Sequence, residues 1–315
     1  MPSRVLVARM LPTMRSILLV LPLLLASCEF DGMQSDRFRE DFHMTYKLEP
    51  NQRVSVENLN GSIEVAGWEK NEVDVSGERY APTEDYLRQL KVDVQASTTA
   101  VRIRTIRPKG LGWSGPSGGV KYLIRVPKQT LLDRIESTNG SLRVEDVQGN
   151  AQLRSTNGSI KIYRAQGNFD VSTTNGSIEL SAHGGDVKAR STNGGIRAND
   201  LNGGLSAETT NGSINARLAG GTSTPVRLET TNGGIEVTLA KPANGLHAST
   251  SNGSITLKLP TDLKASIRAN SGSAVSSDFA VQGDVEKKRI RGTINGGGPL
   301  YELETNNGRI RLERM

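Results

Sequence analysis

The chain has 315 residues, of which 35% are hydrophobic and only 4% aromatic, with 34 glycines. That length can bury a sizeable core, but one that has to be thin and built from Ile, Val, Leu and Ala. The formal charge of +6 includes Arg4, Arg9 and Arg15 near the start, and without them 36 basic residues face 33 acidic ones. Nothing in that balance points to nucleic acid as a partner.

Residues 1–27 read as a leader. Arg15 precedes the apolar run Ile17 to Leu25, too short to cross a membrane and of the length of a signal-peptide core. Met14 is a second candidate start. The run ends in Leu25-Ala26-Ser27-Cys28, which resembles the bacterial lipobox, a motif whose cysteine is lipidated and becomes the mature N-terminus. The resemblance implies lipidation at Cys28. Glu29 in place of Asp after it leans toward the outer membrane, facing either the periplasm or the surface. Cys28 is the single cysteine, so no thiol is left for a disulfide, a metal or a nucleophile.

Residues 28–45 are polar and read as a flexible tether. Residues 46–135 read as irregular β coils, starting at Arg53-Val-Ser-Val-Glu57 and Asn60-Gly61-Ser62-Ile63, with Val73 to Ser76 continuing the stack. Thr83 is an N-cap followed by Glu84 and Asp85, which predicts a short helix over 83–90. The glycine-rich stretch 109–119 reads as a mobile loop carrying Trp113, an aromatic that can stack on a sugar.

Residues 136–267 are organised by one phrase. Ser-Thr-Asn-Gly-Ser-Leu at 137–142 recurs as Ser-Thr-Asn-Gly-Ser-Ile at 155–160 and in five later variants. Asn139, Asn157, Asn175, Asn193 and Asn211 lie 18 residues apart, and Asn232 and Asn252 follow after 21 and 20. A fixed period near twenty marks a repeat architecture in which no unit buries its apolar side alone. Between Arg154 and Val171, Ser155, Ile160, Ile162, Ala165, Phe169 and Val171 alternate with polar residues, the period of half-buried strands. Asn-Gly makes one corner, for which tolerance of positive φ is the expected reason, and Gly167-Asn168 makes the other. An antiparallel meander would also use Asn-Gly turns. It would not need the same apolar residues at the same phase in every repeat, as in the column Leu142, Ile160, Ile178, Ile196, Ile214, Ile235 and Ile255. Like stacked on like at about 4.8 Å favours an all-β solenoid, single-stranded and β-helix-like, with coils of about 18–21 residues.

Residues 268–315 read as C-terminal coils and a cap. Glu286 to Arg291 is a basic run that reads as a solvated strand, and Glu304-Thr-Asn-Asn-Gly-Arg-Ile-Arg-Leu312 repeats the phrase once more. Arg309, Arg311 and Arg314 are expected to protect this end of the stack, and the 83–90 helix the other.

The phrase at Asn60 to Val65 with Gly67-Trp68, the Val126-Pro127 step, the Thr-Asn-Gly-Ser-Ile coils and the Gly-Gly-Gly-Pro to Asn-Gly-Arg-Ile-Arg-Leu ending resemble the bacterial "putative adhesin" family of β-strand repeats, a domain of unknown function. The resemblance runs over roughly 45–315 and implies an envelope-located β-solenoid. It supplies no ligand and no catalytic residue.

Catalysis needs converging titratable groups, and few are offered. His43, His183 and His247 are far apart in sequence. His183 shares a slot with Val147, Ala165 and Leu201 and reads as a partly exposed corner residue rather than a ligand. No cofactor and no metal site is expected. Arg143, Arg154 and Lys161 are outward-facing, and with Trp113 they are the candidate ligand contacts, here for an anionic sugar. The outward threonine column from Thr138 to Thr231 reads as cross-strand pairing, and the asparagines as a hydrogen-bonded corner ladder. The expected function is a non-catalytic scaffold or binding surface in the bacterial cell envelope, adhesive in character. It would be held to the membrane by its N-terminal lipid, with envelope glycans or proteins as partners. The alternatives are a polysaccharide-active parallel β-helix enzyme and an accessory component of envelope-stress signalling.

Overall fold

The computed structural model describes residues 38–108 and 118–315, so Cys28 and Trp113 lie outside the described residues. Two sheets of 13 and 14 strands pack around one continuous apolar core. The middle of the chain fills it regularly. Strands β8 (Leu131–Asn139), β10 (Ala151–Ser155), β12 (Phe169–Asn175), β14 (Val187–Asn193), β16 (Leu205–Asn211), β18 (Val226–Asn232) and β20 (Leu246–Asn252) enter one sheet. Alternating with them, β9 (Leu142–Glu145), β11 (Ile160–Tyr163), β13 (Ile178–Ser181), β15 (Ile196–Leu201), β17 (Ile214–Leu218), β19 (Ile235–Leu239) and β21 (Ile255–Leu259) enter the other. All these neighbours pair in parallel, with Ile160 opposite Leu142 and Ile178, and Ile196 opposite Ile214. Parallel pairing at one repeat's offset is a solenoid and rules out the meander.

The ends are built differently. After β1 (Phe38–Lys47), the coil β2 (Arg53–Asn60) and β3 (Ile63–Trp68) is followed by β4 (Glu72–Ala81), the helix α1 (Glu84–Gln89), β5 (Lys91–Ala96), β6 (Ala100–Ile106) and β7 (Gly119–Pro127). The β2–β3 coil is not the first of the stack, because β6 and β7 lie outside it while β8 and β9 lie inside. The other end mirrors this. After β22 (Ala265–Ser271), β23 (Ala274–Ser277), β24 (Gln282–Glu286) and β25 (Arg289–Ile294), the chain turns back. Its last coil, β26 (Leu300–Asn307) and β27 (Arg309–Arg314), then inserts between β20–β21 and β22–β23.

Three sequence expectations are corrected here. Residues 38–45 are not tether but most of β1, paired antiparallel with β4 from Phe38–Ala81 to Lys47–Glu72, because Phe42 and Tyr46 pack against the core. Val73 to Ser76 do not continue the coil. They run antiparallel in β4, between β1 and β7. Arg309, Arg311 and Arg314 cover no end, since β27 is paired on both sides. The sheet edges are β1 and β23 in one sheet and β5 and β24 in the other. At three of these four edges the last strand is antiparallel to its neighbour, so the free backbone row does not continue the parallel register. The helix begins one residue later than expected, with Thr83 Oγ1 accepting from the Tyr86 N–H, and buries Tyr86 and Leu87 against β4 and β1.

Candidate binding surface

Each letter of the repeated phrase has its own physical task. The first hydroxyl points inward. Ser155, Thr173, Ser191 and Thr209 are buried, and each donates to the glycine carbonyl of the preceding coil, at 2.8–2.9 Å. A carbonyl turned into an apolar corner needs a donor, and these hydroxyls supply it. Asn58 does the same work in the β2–β3 coil, donating to Val120 O at 2.7 Å and Gly61 O at 3.0 Å. The second threonine faces solvent. Each asparagine carboxamide then donates to that of its neighbour, from Asn139 onto Asn60 through to Asn307 onto Asn252, at 2.8–2.9 Å. The ladder expected from the sequence is therefore present.

The glycine of the phrase has a different reason from the one expected. Among these corner glycines only Gly61 has positive φ. At Gly158 a Cβ would lie 2.1 Å from Gly140 O, and at Gly194 2.1 Å from Gly176 O. Stacked coils approach too closely there for any side chain. Left-handed backbone belongs instead to the second corner, at Asp146, Arg164, Ala182 and Asp200, and at Gly167 and Gly185.

That second corner carries an unequal ladder. Asn150 Oδ1 accepts the Asn168 N–H at 2.9 Å, Asn168 Oδ1 the Asp186 N–H at 3.3 Å, and Asp186 Oδ1 the Gly204 N–H at 2.7 Å. Beside it a hollow of about 610 Å³ runs along the starts of β8 to β18. It is closed at one end by Arg53 and the irregular β8, and at the other by Thr224 and Pro225.

The candidate contacts are not brought together. Arg143 and Lys161 are register partners on the outer face of one sheet, and Arg154 stands on the outer face of the other. The single anionic-sugar groove expected from these residues is thus corrected. Arg143 lies over the Tyr163 ring at 4.6 Å and donates to Glu145 at 2.8 Å, whereas Arg154 faces Glu136 at 3.9 Å. The outer charges are largely paired among themselves. Arg143 and Arg164 hold the Glu145 carboxyl below its ordinary range, Arg164 lowers Asp146, and Arg102 lowers Glu57.

The histidines stay apart, on β1, on the corner after β13 and on β20. His43 pairs with Asp74 at 2.7 Å, and His247 sits between Glu229 and Glu302 at 3.5 and 3.4 Å. His183 is not partly exposed as expected but buried, at 1% exposure. Its Nε2 donates to Gly167 O at 3.0 Å, its ring meets Phe169 edge-on at 4.7 Å, and Nδ1 has no partner among the described residues. Burial lowers its pKa. The apolar neighbours in its slot, Val147, Ala165 and Leu201, were the signal for this burial. Among the described residues no cluster of His, Cys, Asp and Glu is placed to hold a metal ion, and no helix is long and apolar enough to cross a membrane.

The sequence matches the Toastrack DUF4097 family over residues 36–241 and again over 88–313. The chain belongs to that family. No curated protein matches it. Among solved structures, this Toastrack chain is similar to a protein described as a putative adhesin from Bacteroides fragilis. The two share 13% identity over 88% of this chain and 97% of that one, with a TM-score of 0.42. A protein described as a putative lipid binding protein, from Parabacteroides distasonis, is 10% identical over 88% of this chain and 98% of that one, with a TM-score of 0.29.

Proposed function

We propose that this protein is a non-catalytic scaffold of the bacterial cell envelope, anchored by a lipid on Cys28, whose stacked coils present a binding surface for envelope glycans or proteins in an adhesive role. The observation that carries this reading is the way the repeated residues are used. Hydroxyls, carboxamides and glycines at the first corner hold coil to coil, and the outer charges pair with one another, so the rod offers a long fixed surface rather than converging acid and base groups. The lipobox at Leu25 to Cys28 supports the envelope location. The polysaccharide-cleaving alternative loses its candidate cluster, because Arg154 is on the other sheet from Arg143 and Lys161. The test is expression of the full chain and its Cys28→Ser variant in a bacterial host with labelled palmitate. Labelled wild-type protein in the membrane fraction and unlabelled, released variant are expected. Equal labelling of both would refute the anchor. Wild-type protein that leaves isolated envelope fractions as readily as a lipid-free control would refute the scaffold.

A further inference from the structure

The two corners of the coil differ in what they leave free. At the first corner each asparagine Nδ2 is used by the next carboxamide. At the second corner the side-chain oxygens take backbone N–H groups instead, so the Nδ2 groups of Asn150 and Asn168 have no partner among the described residues. Gln152 and Lys188, on the adjoining outward column, have no hydrogen bond or ion pair there either, and all four line the 610 Å³ hollow. Ala151, Phe169, Val187 and Leu205 lie beneath it but are buried in the core, so a ligand there meets the backbone and the polar columns, with apolar surface from Leu131 and Pro225 at its two ends. The hollow exists because the coils between β10 and β16 keep the short 18-residue period, while the longer coil after Asn211 raises Thr224 and Pro225 as a wall.

We propose that this hollow binds a linear, uncharged oligosaccharide lying along the rod axis; the inference rests on the scaffold reading and names its ligand class and site. Amide groups set one strand spacing apart match a ligand whose hydroxyls recur along its length, and Leu131 and Pro225 at the two ends suit the C–H faces of sugar rings. From β8 to β18 the hollow crosses six strands, or roughly 24 Å at about 4.8 Å per step, room for several sugar units. Charge argues against other occupants. Asp133, Asp170 and Asp186 nearly balance Arg53 and Lys188, so neither a polyanion nor a polycation finds a complementary field. An extended peptide would want a free strand edge, and the strands between β8 and β18 are paired on both sides. The alternative channel on the same sheet, beside the threonine column, has its charges engaged by one another, as in Arg104 with Glu57 and Arg134 with Glu136.

The test uses the full chain in detergent, titrated with neutral hexose and N-acetylhexosamine tetrasaccharides and with an oligo-uronate. Gln152→Trp and Ser206→Trp fill the hollow, while Thr156→Trp fills the other channel. The outward column of Gln152 and Ser206 continues into Arg227 and His247, so a bulky residue fits there without disturbing the core. Binding of a neutral tetrasaccharide that weakens about tenfold or more in both hollow variants, the worth of one or two hydrogen bonds, and persists in Thr156→Trp supports the proposal. No neutral binding, preference for the uronate, or binding unchanged in both hollow variants overturns it. Retention on isolated envelope fractions, measured in parallel, separates the two readings. If it persists in a chain that binds no neutral sugar, the hollow falls and the scaffold stands; if it is also absent, both fall.

Discussion

His183 shows how one residue can make a structural rod sensitive to acid. Its ring is held neutral in the folded chain, because burial lowers a pKa whose ordinary value is 6.5. Below pH 6.5 the unfolded chain takes up a proton there before the folded chain does, so stability falls as pH drops from 6.5 toward the lowered native value. Glu57, Glu145, Asp146 and Glu302, each lowered by arginine partners, lose their contributions further down, as pH falls from the ordinary carboxylate range through their lowered native values. His183→Leu is expected to flatten the melting-temperature profile between pH 7 and 5 relative to wild type; identical profiles would count against a buried neutral ring. At the neighbouring corner, Gly194→Ala places a Cβ 2.1 Å from Gly176 O and should cost about 1–3 kcal/mol. Thr209→Val strips the donor from Gly194 O and should cost a similar amount, about 1–3 kcal/mol, by chemical denaturation.

At the scale of the strand, Ile196 and Thr192 lie on either side of one corner with opposite exposure. Ile196 is 1% exposed between Ile178 and Ile214, and Thr192 is exposed. Ile196→Asp should cost about 3 kcal/mol or more, since a carboxyl in that column has no partner, whereas Thr192→Asp should stay within about 1 kcal/mol. Hydrogen exchange in Ile196→Asp should lose protection around 178–214 before β2 and β3 respond, because each coil touches only its neighbours. This alternation was legible in the sequence because period and parity are local properties. The reason for the corner glycines was not. Their restriction comes from a backbone one coil away rather than from their own φ, and Asn-Gly reads the same in a hairpin. Likewise, Arg143 and Arg154 look like companions in sequence, but the corner between them sends them to different sheets.

At the scale of the whole molecule, the order of coils in space departs from their order in the chain at both ends, and no residue pattern announced this. The phrase at Asn60 and the one at Asn307 have the same grammar as the middle repeats, so sequence alone places them as the outermost coils. Strands β6–β7 and β22–β23, whose phrases are degenerate, take those places instead. Deleting residues 304–315 therefore removes the partner of β20 and β21. The expected result is loss of the cooperative melt of the C-terminal half, not simple self-association. Deleting 282–294 instead uncovers β22 and should give concentration-dependent association by sedimentation without loss of the main melt. The same arrangement sets a schedule for synthesis. Residues 265–277 emerge before 300–314, yet belong farther from the body than they do, so the growing chain must hold a finished edge open for a piece not yet made. An early attachment of β22 directly to β20 would be a wrong turn to be undone. Refolding should accordingly show a slow phase that disappears when 260–315 are absent, the mark of a closing step that waits for β26 and β27 to enter between their neighbours.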